Sequence, residues 1–383
     1  MNLDLLKSFS RNYFRFEHGY FTVGGALKDL SYFLRQGHLW AHIVDRIRFR
    51  IYPMLLLVPD FPTHVDIEPA SACQMRCPMC YTTYMSDEKK GLMSFELFKK
   101  VVDQAYDGGA YSVRLSWRGE SLLNDQFLEM VTYAKRKGIK EVAFLTNAER
   151  LTNKLIERLV ELEVDWISVS ADGVGKVYEE IRAPAKFEET LEKIRYMKEY
   201  RDRNGKKKPL LRVQSVLSAL KDNSTAYVSA WKGIVDRINF IADEKRDFEI
   251  REMAHDPYYV CPLPWQRITV AHDGKVHQCI SDYAGYNIMG DANHQSLREI
   301  WHGEKFRLLR EDFIKHRFLE RNEACRNCSD NVVTEERVLE IDGKRVKARQ
   351  YVGIPDVVAG NKVMIQMPEK LKKKIGRPVK RGV

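Results

Sequence analysis

The sequence predicts an α/β fold, six β/α units making an incomplete barrel open on one side, followed by a smaller α+β module. Three observations carry that prediction. From residue 63 to about 241, short apolar or β-branched runs alternate with amphipathic stretches of helical period, which is the pattern of parallel β/α units. Beyond residue 250 the alternation stops, and an Asp273-Gly274 hairpin signal stands between the runs 267–271 and 275–279. A chain of 383 residues, 44% of them apolar, is long enough for one large domain and a small one, or for two domains of ordinary size, and can bury a real core.

Taken in order, residues 1–58 carry aromatic and basic side chains at helical spacing: Tyr13, Phe14, Phe16, Tyr20 and Phe21, then Leu30, Phe33 and Leu34, then Trp40, Ile43, Val44 and Ile47. Helices are expected there. Arg46, Arg48 and Arg50 beside Trp40 and Phe49 suit a membrane surface, an anionic substrate or a cap on the main domain. The barrel strands are predicted at 64–67, 112–117, 141–146, 166–170, 211–217 and 237–241, with helices at 95–106, 126–136, 153–162, 187–200 and 226–233. In such folds the site forms at the carboxyl ends of the strands. After the hairpin, residues 297–301 and 305–318 read as helices. A second hairpin is expected across residues 340–346, and the basic stretch 371–381 is expected to be disordered. The predicted domains are therefore 1–58, 59–250, 251–335 and 336–383.

Composition narrows the function. No apolar run approaches the ~20 residues needed to span a bilayer, and Met1-Asn2-Leu3-Asp4 does not open a secretory signal. The net charge of +10 is concentrated at the ends: residues 341–383 hold 12 Lys/Arg against 3 Asp/Glu, and residues 1–58 hold 8 against 4. The body is mildly acidic, so the basic balance describes the termini. Seven cysteines, three early and four late, suit metal ligation in a reducing, cytoplasmic, oxygen-poor setting better than disulfides.

The early three stand at C-x3-C-x2-C spacing, Cys73-Gln74-Met75-Arg76-Cys77-Pro78-Met79-Cys80, directly after the first strand. A closed thiolate site supplies four ligands, so three suggest a metal with one position left open. A zinc knuckle with a distant fourth ligand, or three unrelated core cysteines, is the alternative. This loop resembles the signature of the radical S-adenosylmethionine (SAM) superfamily. The resemblance implies a partial (β/α)6 TIM-like barrel and a 4Fe-4S cluster whose free iron binds SAM. One electron then cleaves SAM to a 5'-deoxyadenosyl radical. Trp117-Arg118-Gly119-Glu120-Ser121 resembles the family's Gly-Gly-Glu segment, with Arg118 in place of the first Gly and Ser121 in place of the following Pro. Leu145-Thr146-Asn147-Ala148 is close to Thr-Asn-Gly, and Ser168 to Gly173 with Arg182 lies where the family contacts ribose and carboxylate. The implied SAM contacts are Gly119, Glu120, Asn147, Ser170 and Arg182. No catalytic side chain is assigned.

The later four are Cys261, Cys279, Cys325 and Cys328. On spacing alone, zinc and iron-sulfur are both open. With Cys-x2-Pro-Trp, a Gly-containing hairpin ending in Cys and Leu-Arg-Glu-Ile-Trp, the set resembles the SPASM/Twitch extension, which implies a second, auxiliary 4Fe-4S cluster in a small C-terminal iron-sulfur domain. All seven thiols are then assigned, so no cysteine remains to return a hydrogen atom to a substrate radical. Net oxidation is the expected outcome, and the four-Cys arrangement resembles aminocyclitol and sugar dehydrogenases. A peptide or protein substrate is the alternative reading. A zinc protein that binds nucleic acid is the reading of another class. The expected partners are a small molecule, such as a nucleotide- or lipid-linked sugar, or a peptide; a flavodoxin- or ferredoxin-type electron donor; and peripheral membrane contact through the basic termini.

Overall fold

The computed structural model describes residues 20–22, 34–35, 37–220, 223–241, 254–341 and 344–351. Its centre is one ten-stranded sheet. Strands β2 (His64–Ile67), β3 (Ser112–Leu115), β4 (Glu141–Thr146), β5 (Trp166–Ser170), β6 (Leu210–Val216) and β7 (Arg237–Ile241) run side by side and parallel. Nearly every residue of β2, β4 and β5 is buried, as a parallel sheet covered on both faces requires.

The covering helices follow from local sequence. In Phe95–Asp107, Leu97, Phe98, Val101, Val102 and Ala105 form one buried stripe, and Ser94 caps the start by accepting from Leu97 N. Phe127–Lys137 ends at Gly138, whose φ of 100° suits a residue without a Cβ. Asn153–Glu161 is capped by Thr152 and buries Ile156, Leu159 and Val160. Phe187–Arg203 and Ser224–Trp231 complete the series.

Two departures from expectation concern the sheet edges. Residues 1–58 were expected to be helical, but Tyr20–Thr22 is a strand, β1, paired antiparallel to β7. An edge strand leaves its backbone groups unpaired, and an aromatic, β-branched triplet suits that task. The other aromatic residues expected on helices before Leu34 lie outside the described residues. Secondly, the hairpin expected in a separate module continues the barrel sheet. Strand β8 (Arg267–Val270) pairs parallel to β2, so seven parallel strands are contiguous. β9 (Lys275–His277) and β10 (Ile288–Asp291) follow antiparallel. The free edge of β2 explains the join, because its buried N–H and C=O groups need partners.

Beyond the sheet, Leu297–His302 opens with a capping box between Ser296 and Glu299. Glu304–Ile314, Phe318–Arg321 and Glu323–Arg326 then bring the last cysteines back to the hairpin. Thr334–Ile341 and Lys344–Tyr351 form the second hairpin, with Ile341 opposite Lys344. The basic stretch 371–381 lies outside the described residues.

At the other end of the barrel, helix α1 (Leu39–Met54) lies beneath the amino-terminal ends of the strands. Its Asp45 carboxylate reaches His64 Nε2 at 3.3 Å, His42 meets the Tyr111 hydroxyl at 3.0 Å, and Gln266 Nε2 donates to the Phe49 carbonyl at 2.7 Å.

Candidate active site

The carboxyl ends of β2 to β7 converge on one cavity of about 210 Å³. From the loop after β2 come Cys73, Cys77 and Cys80, and from the loop after β3 come Gly119 and Glu120. The later strand ends add Asn147, then Ser170 with Asp172, then Gln214 and Ile241, and Arg182 completes the wall. Every SAM contact implied by the sequence therefore lies on the same wall as the early cysteines.

Backbone hydrogen bonds fix the cysteine loop. Cys80 N donates to the Cys77 carbonyl at 3.0 Å, Thr83 Oγ1 donates to the same oxygen at 2.8 Å, and Arg76 N donates to the Ala183 carbonyl at 3.1 Å. At the loop's entry Asn124 Nδ2 donates to the carbonyls of Pro69 and Met93, both at 2.9 Å. Glu120 N donates to the Ala72 carbonyl at 2.9 Å, which binds the second loop to the first. Gly119 is required by this approach, since a Cβ there would be driven into the carbonyl oxygens of Ala70 and Ala72.

Burial raises the Glu120 carboxyl to about 7, although Asn147 N and Thr146 Oγ1 both donate to it at 2.8 Å. A cation placed beside it would restore its charge. Asn147 also donates from Nδ2 toward Cys73 Sγ at 3.7 Å and accepts from Gln74 at 3.2 Å. Ala148 stands at φ 64°, the left-handed region that favours glycine, which is what the resembling motif has at this position. Arg182 is held by Asp172, Nη2 to Oδ2 at 2.6 Å, and its positive charge faces Cys77. Burial pushes the Cys73 thiol up to about 12 and the Cys77 thiol up as well.

Arg118, where the family motif has a glycine, lines the cavity and is tied to the surrounding structure. It forms a two-point ion pair with buried Glu68 (2.8 and 2.7 Å), lies 4.1 Å from the Trp117 ring centre and donates to the Tyr283 carbonyl at 3.1 Å. Burial would raise the Glu68 carboxyl, but Arg118 and His272 outweigh it and hold the group at about 2. A folded-state value below the ordinary 4.5 of a free glutamate gives stability that is present above about pH 4.5 and lost as the pH falls towards 2. Glu68→Gln leaves a buried guanidinium without its counter-charge and is expected to destabilise the fold by about 3 kcal/mol at neutral pH. Chemical unfolding at a series of pH values checks this: the gap from wild type should narrow below pH 4.5, and a gap independent of pH would refute the assignment.

The later four cysteines gather in a second group. Cys261, Cys279, Cys325 and Cys328 are mutual electrostatic neighbours, and burial raises all four thiols. All seven cysteines are free thiols. Among the described residues no three His, Cys, Asp or Glu side chains converge as tightly as a single metal ion demands. In a cubane each thiolate has its own iron, so its ligands stand farther apart, and two groups of three and four thiols suit two clusters.

The segment that follows Cys279 reaches the cavity wall. Trp117 Nε1 donates to the Ile280 carbonyl at 2.7 Å, next to Cys279, and the Trp117 ring packs edge-on against His277 at 4.6 Å. Tyr283, from the same segment, lines the cavity and stacks on Tyr81 at 6.1 Å. Sequence reasoning missed Tyr283 and Glu68, because nothing local marks a residue whose partner lies far along the chain. Asp172 stood inside the quoted Ser168 to Gly173 segment, and an acid ten residues before an Arg was the available signal.

The comparisons agree with this geometry. The Radical SAM superfamily model matches residues 67–206, and an iron-sulfur cluster-binding domain model, SPASM, matches residues 261–329. A Pyrococcus furiosus tungsten-containing aldehyde ferredoxin oxidoreductase cofactor-modifying protein is 25% identical over 325 residues, covering 70% of this chain and 87% of that one. An S-adenosyl-L-methionine-dependent 2-deoxy-scyllo-inosamine dehydrogenase from Niallia circulans is 25% identical over 285 residues, 71% of this chain and 95% of that one. Streptococcus suis SuiB bound to S-adenosylmethionine shares the fold, with a TM-score of 0.52 at 16% identity over 71% of this chain and 72% of its own. The cofactors are accordingly SAM, a 4Fe-4S cluster that binds it and an auxiliary iron-sulfur cluster. With a three-thiol cavity at the strand ends and a four-thiol group beside it, the chain belongs to the radical SAM superfamily and carries a C-terminal SPASM domain.

Proposed function

We propose that this enzyme dehydrogenates a sugar- or aminocyclitol-type small molecule, removing a hydrogen atom from an unactivated C–H and then one electron and one proton. The observation that carries this reading is the distribution of thiols. Those lining the cavity are Cys73, Cys77 and Cys80, and the other four stand together elsewhere, so no thiol is left to return a hydrogen atom. Likeness over 95% of the length of the Niallia circulans dehydrogenase supports it.

In this reading Cys73, Cys77 and Cys80 hold the SAM-binding cluster, and Cys261, Cys279, Cys325 and Cys328 hold the auxiliary one. Bound at the cavity, such a cluster would be a one-electron reductant for the SAM sulfonium. Glu120 orients the SAM ammonium, and Gly119 leaves room for the backbone carbonyls around it. Asn147 and Ser170 would hold the ribose, and Arg182, steadied by Asp172, would hold the carboxylate. Met75, Tyr81 and Tyr283 give the cavity a border of largely apolar side chains that would limit the access of water. The four-thiol group, whose segment adjoins the wall at Trp117, would hold a cluster able to accept the substrate's second electron. A flavodoxin- or ferredoxin-type donor and a cytoplasmic setting belong to the same proposal; no helix among the described residues is long and apolar enough to cross a membrane.

The test is anaerobic reconstitution followed by assay of 5'-deoxyadenosine against panels of cyclitols, nucleotide sugars and peptides. Cyclitol or sugar products lighter by two hydrogens support the proposal. An unchanged product mass indicates epimerisation, and turnover of peptides alone would replace the substrate class. Colourless protein holding zinc, without SAM cleavage, would end the enzymatic reading.

A further inference from the structure

We propose that the outer face of α1 is a docking surface for an anionic phospholipid bilayer, a property separate from the proposed reaction. The inner face of this helix is fixed by His42 and Asp45 to the barrel's amino-terminal end. On the outer face Trp40, Val44, Ile47, Ile51 and Met54 follow one another at intervals of four, three, four and three residues, which is one continuous helical stripe. All five are exposed, Trp40 by 78%. Of the sixteen large apolar side chains exposed among the described residues, ten lie between residues 34 and 58, so this is a patch and not scatter.

Charge selects the occupant. The helix carries Asp45, Arg46, Arg48 and Arg50; its one acid is buried against His64 and Arg46, while Arg48 and Arg50 are exposed. An apolar stripe with an aromatic residue near one end and with Arg48 and Arg50 exposed on the same helix matches a helix lying in a bilayer interface rich in anionic headgroups. A second copy of this chain is a poorer fit, because a two-fold contact on this face would bring two sets of arginines into one interface. The cavity opens at the opposite, carboxyl ends of the strands, so a docked enzyme presents it away from the lipid.

The experiment is co-sedimentation of the full chain with vesicles of phosphatidylcholine alone or with about one third phosphatidylglycerol, read beside tryptophan fluorescence. Binding is expected for the anionic vesicles only, with a blue shift that Trp40→Phe removes. Ile47→Asp combined with Ile51→Asp should weaken partitioning about tenfold or more. Arg48→Gln with Arg50→Gln should weaken it and reduce its salt dependence, and this pair keeps the apolar face intact should the aspartates impair folding. 5'-Deoxyadenosine formation in solution should match wild type in both variants. Three results overturn the proposal: no binding by wild type, equal binding by both double variants, or a wild-type dimer that the aspartates convert to monomer.

Discussion

Gly119→Ala is expected to lower SAM cleavage at least about a hundredfold while the barrel remains folded. The added Cβ would enter the carbonyl oxygens of Ala70 and Ala72 and lie 2.6 Å from the Ser71 carbonyl carbon. These are main-chain atoms, so no side-chain rotation relieves the overlap. One of the two loops must move, and neither is free to do so. Ser71 is bonded to the carbonyls of Gly91 and Lys89, Pro69 is held by Asn124, and Glu120 N is bonded to Ala72. Cys73 follows directly, so the displacement reaches the first thiol of the cavity. Overpacking of this kind costs roughly 1–3 kcal/mol, which a domain of this size tolerates, whereas a misplacement of about 1 Å in a reacting geometry costs on the order of a hundredfold in rate. Iron content separates the two effects: about eight per reconstituted wild-type chain should fall towards about four, with the four-thiol group still loaded. Wild-type iron and a wild-type rate in this variant would show that the approach of the two loops does not matter.

Much of this site was legible because its determinants are local. Cys73, Cys77 and Cys80 sit within eight residues, and alternating strand and helix patterns place that loop at a strand end. Gly119, Glu120, Asn147, Ser170 and Arg182 line one cavity because strands in a parallel sheet all point their carboxyl ends the same way. Pairing was not legible. A buried run such as 267–270 identifies a strand but not its neighbour, and β8 could have stood in its own module as readily as beside β2. The same limit hid β1. Arg118 looked like a weakened motif. In the structure it exchanges the family's glycine for a guanidinium that joins Glu68, Trp117 and Tyr283, so the departure is a structural tie between barrel and hairpin.

Cys77→Ala and Cys325→Ala are expected to fail in different ways. Cys77 lies on the cavity wall, within the field of Arg182, and its loss removes one of only three ligands there. No 5'-deoxyadenosine should form. Cys325 lies in the other group, where its backbone N–H donates to Asn322 at 3.1 Å, its carbonyl accepts from Asn331 at 2.7 Å and Gln278 Nε2 approaches its sulfur at 3.3 Å. Alanine keeps the two backbone bonds, and Asn287 still bridges Gln278 and Asn322, so the surrounding segment should hold its shape. The cavity residues are untouched. SAM should still be split in this variant, without the product lighter by two hydrogens, because the path for the substrate's second electron is gone. Quantifying 5'-deoxyadenosine and product in the same reaction gives the ratio that matters: near one for wild type, undefined for Cys77→Ala, and deoxyadenosine without product for Cys325→Ala. If Cys325→Ala instead loses SAM cleavage with its fold and early-group iron intact, the two thiol groups do not divide the work as their positions suggest. Full turnover in both variants would remove the clusters from the reaction altogether.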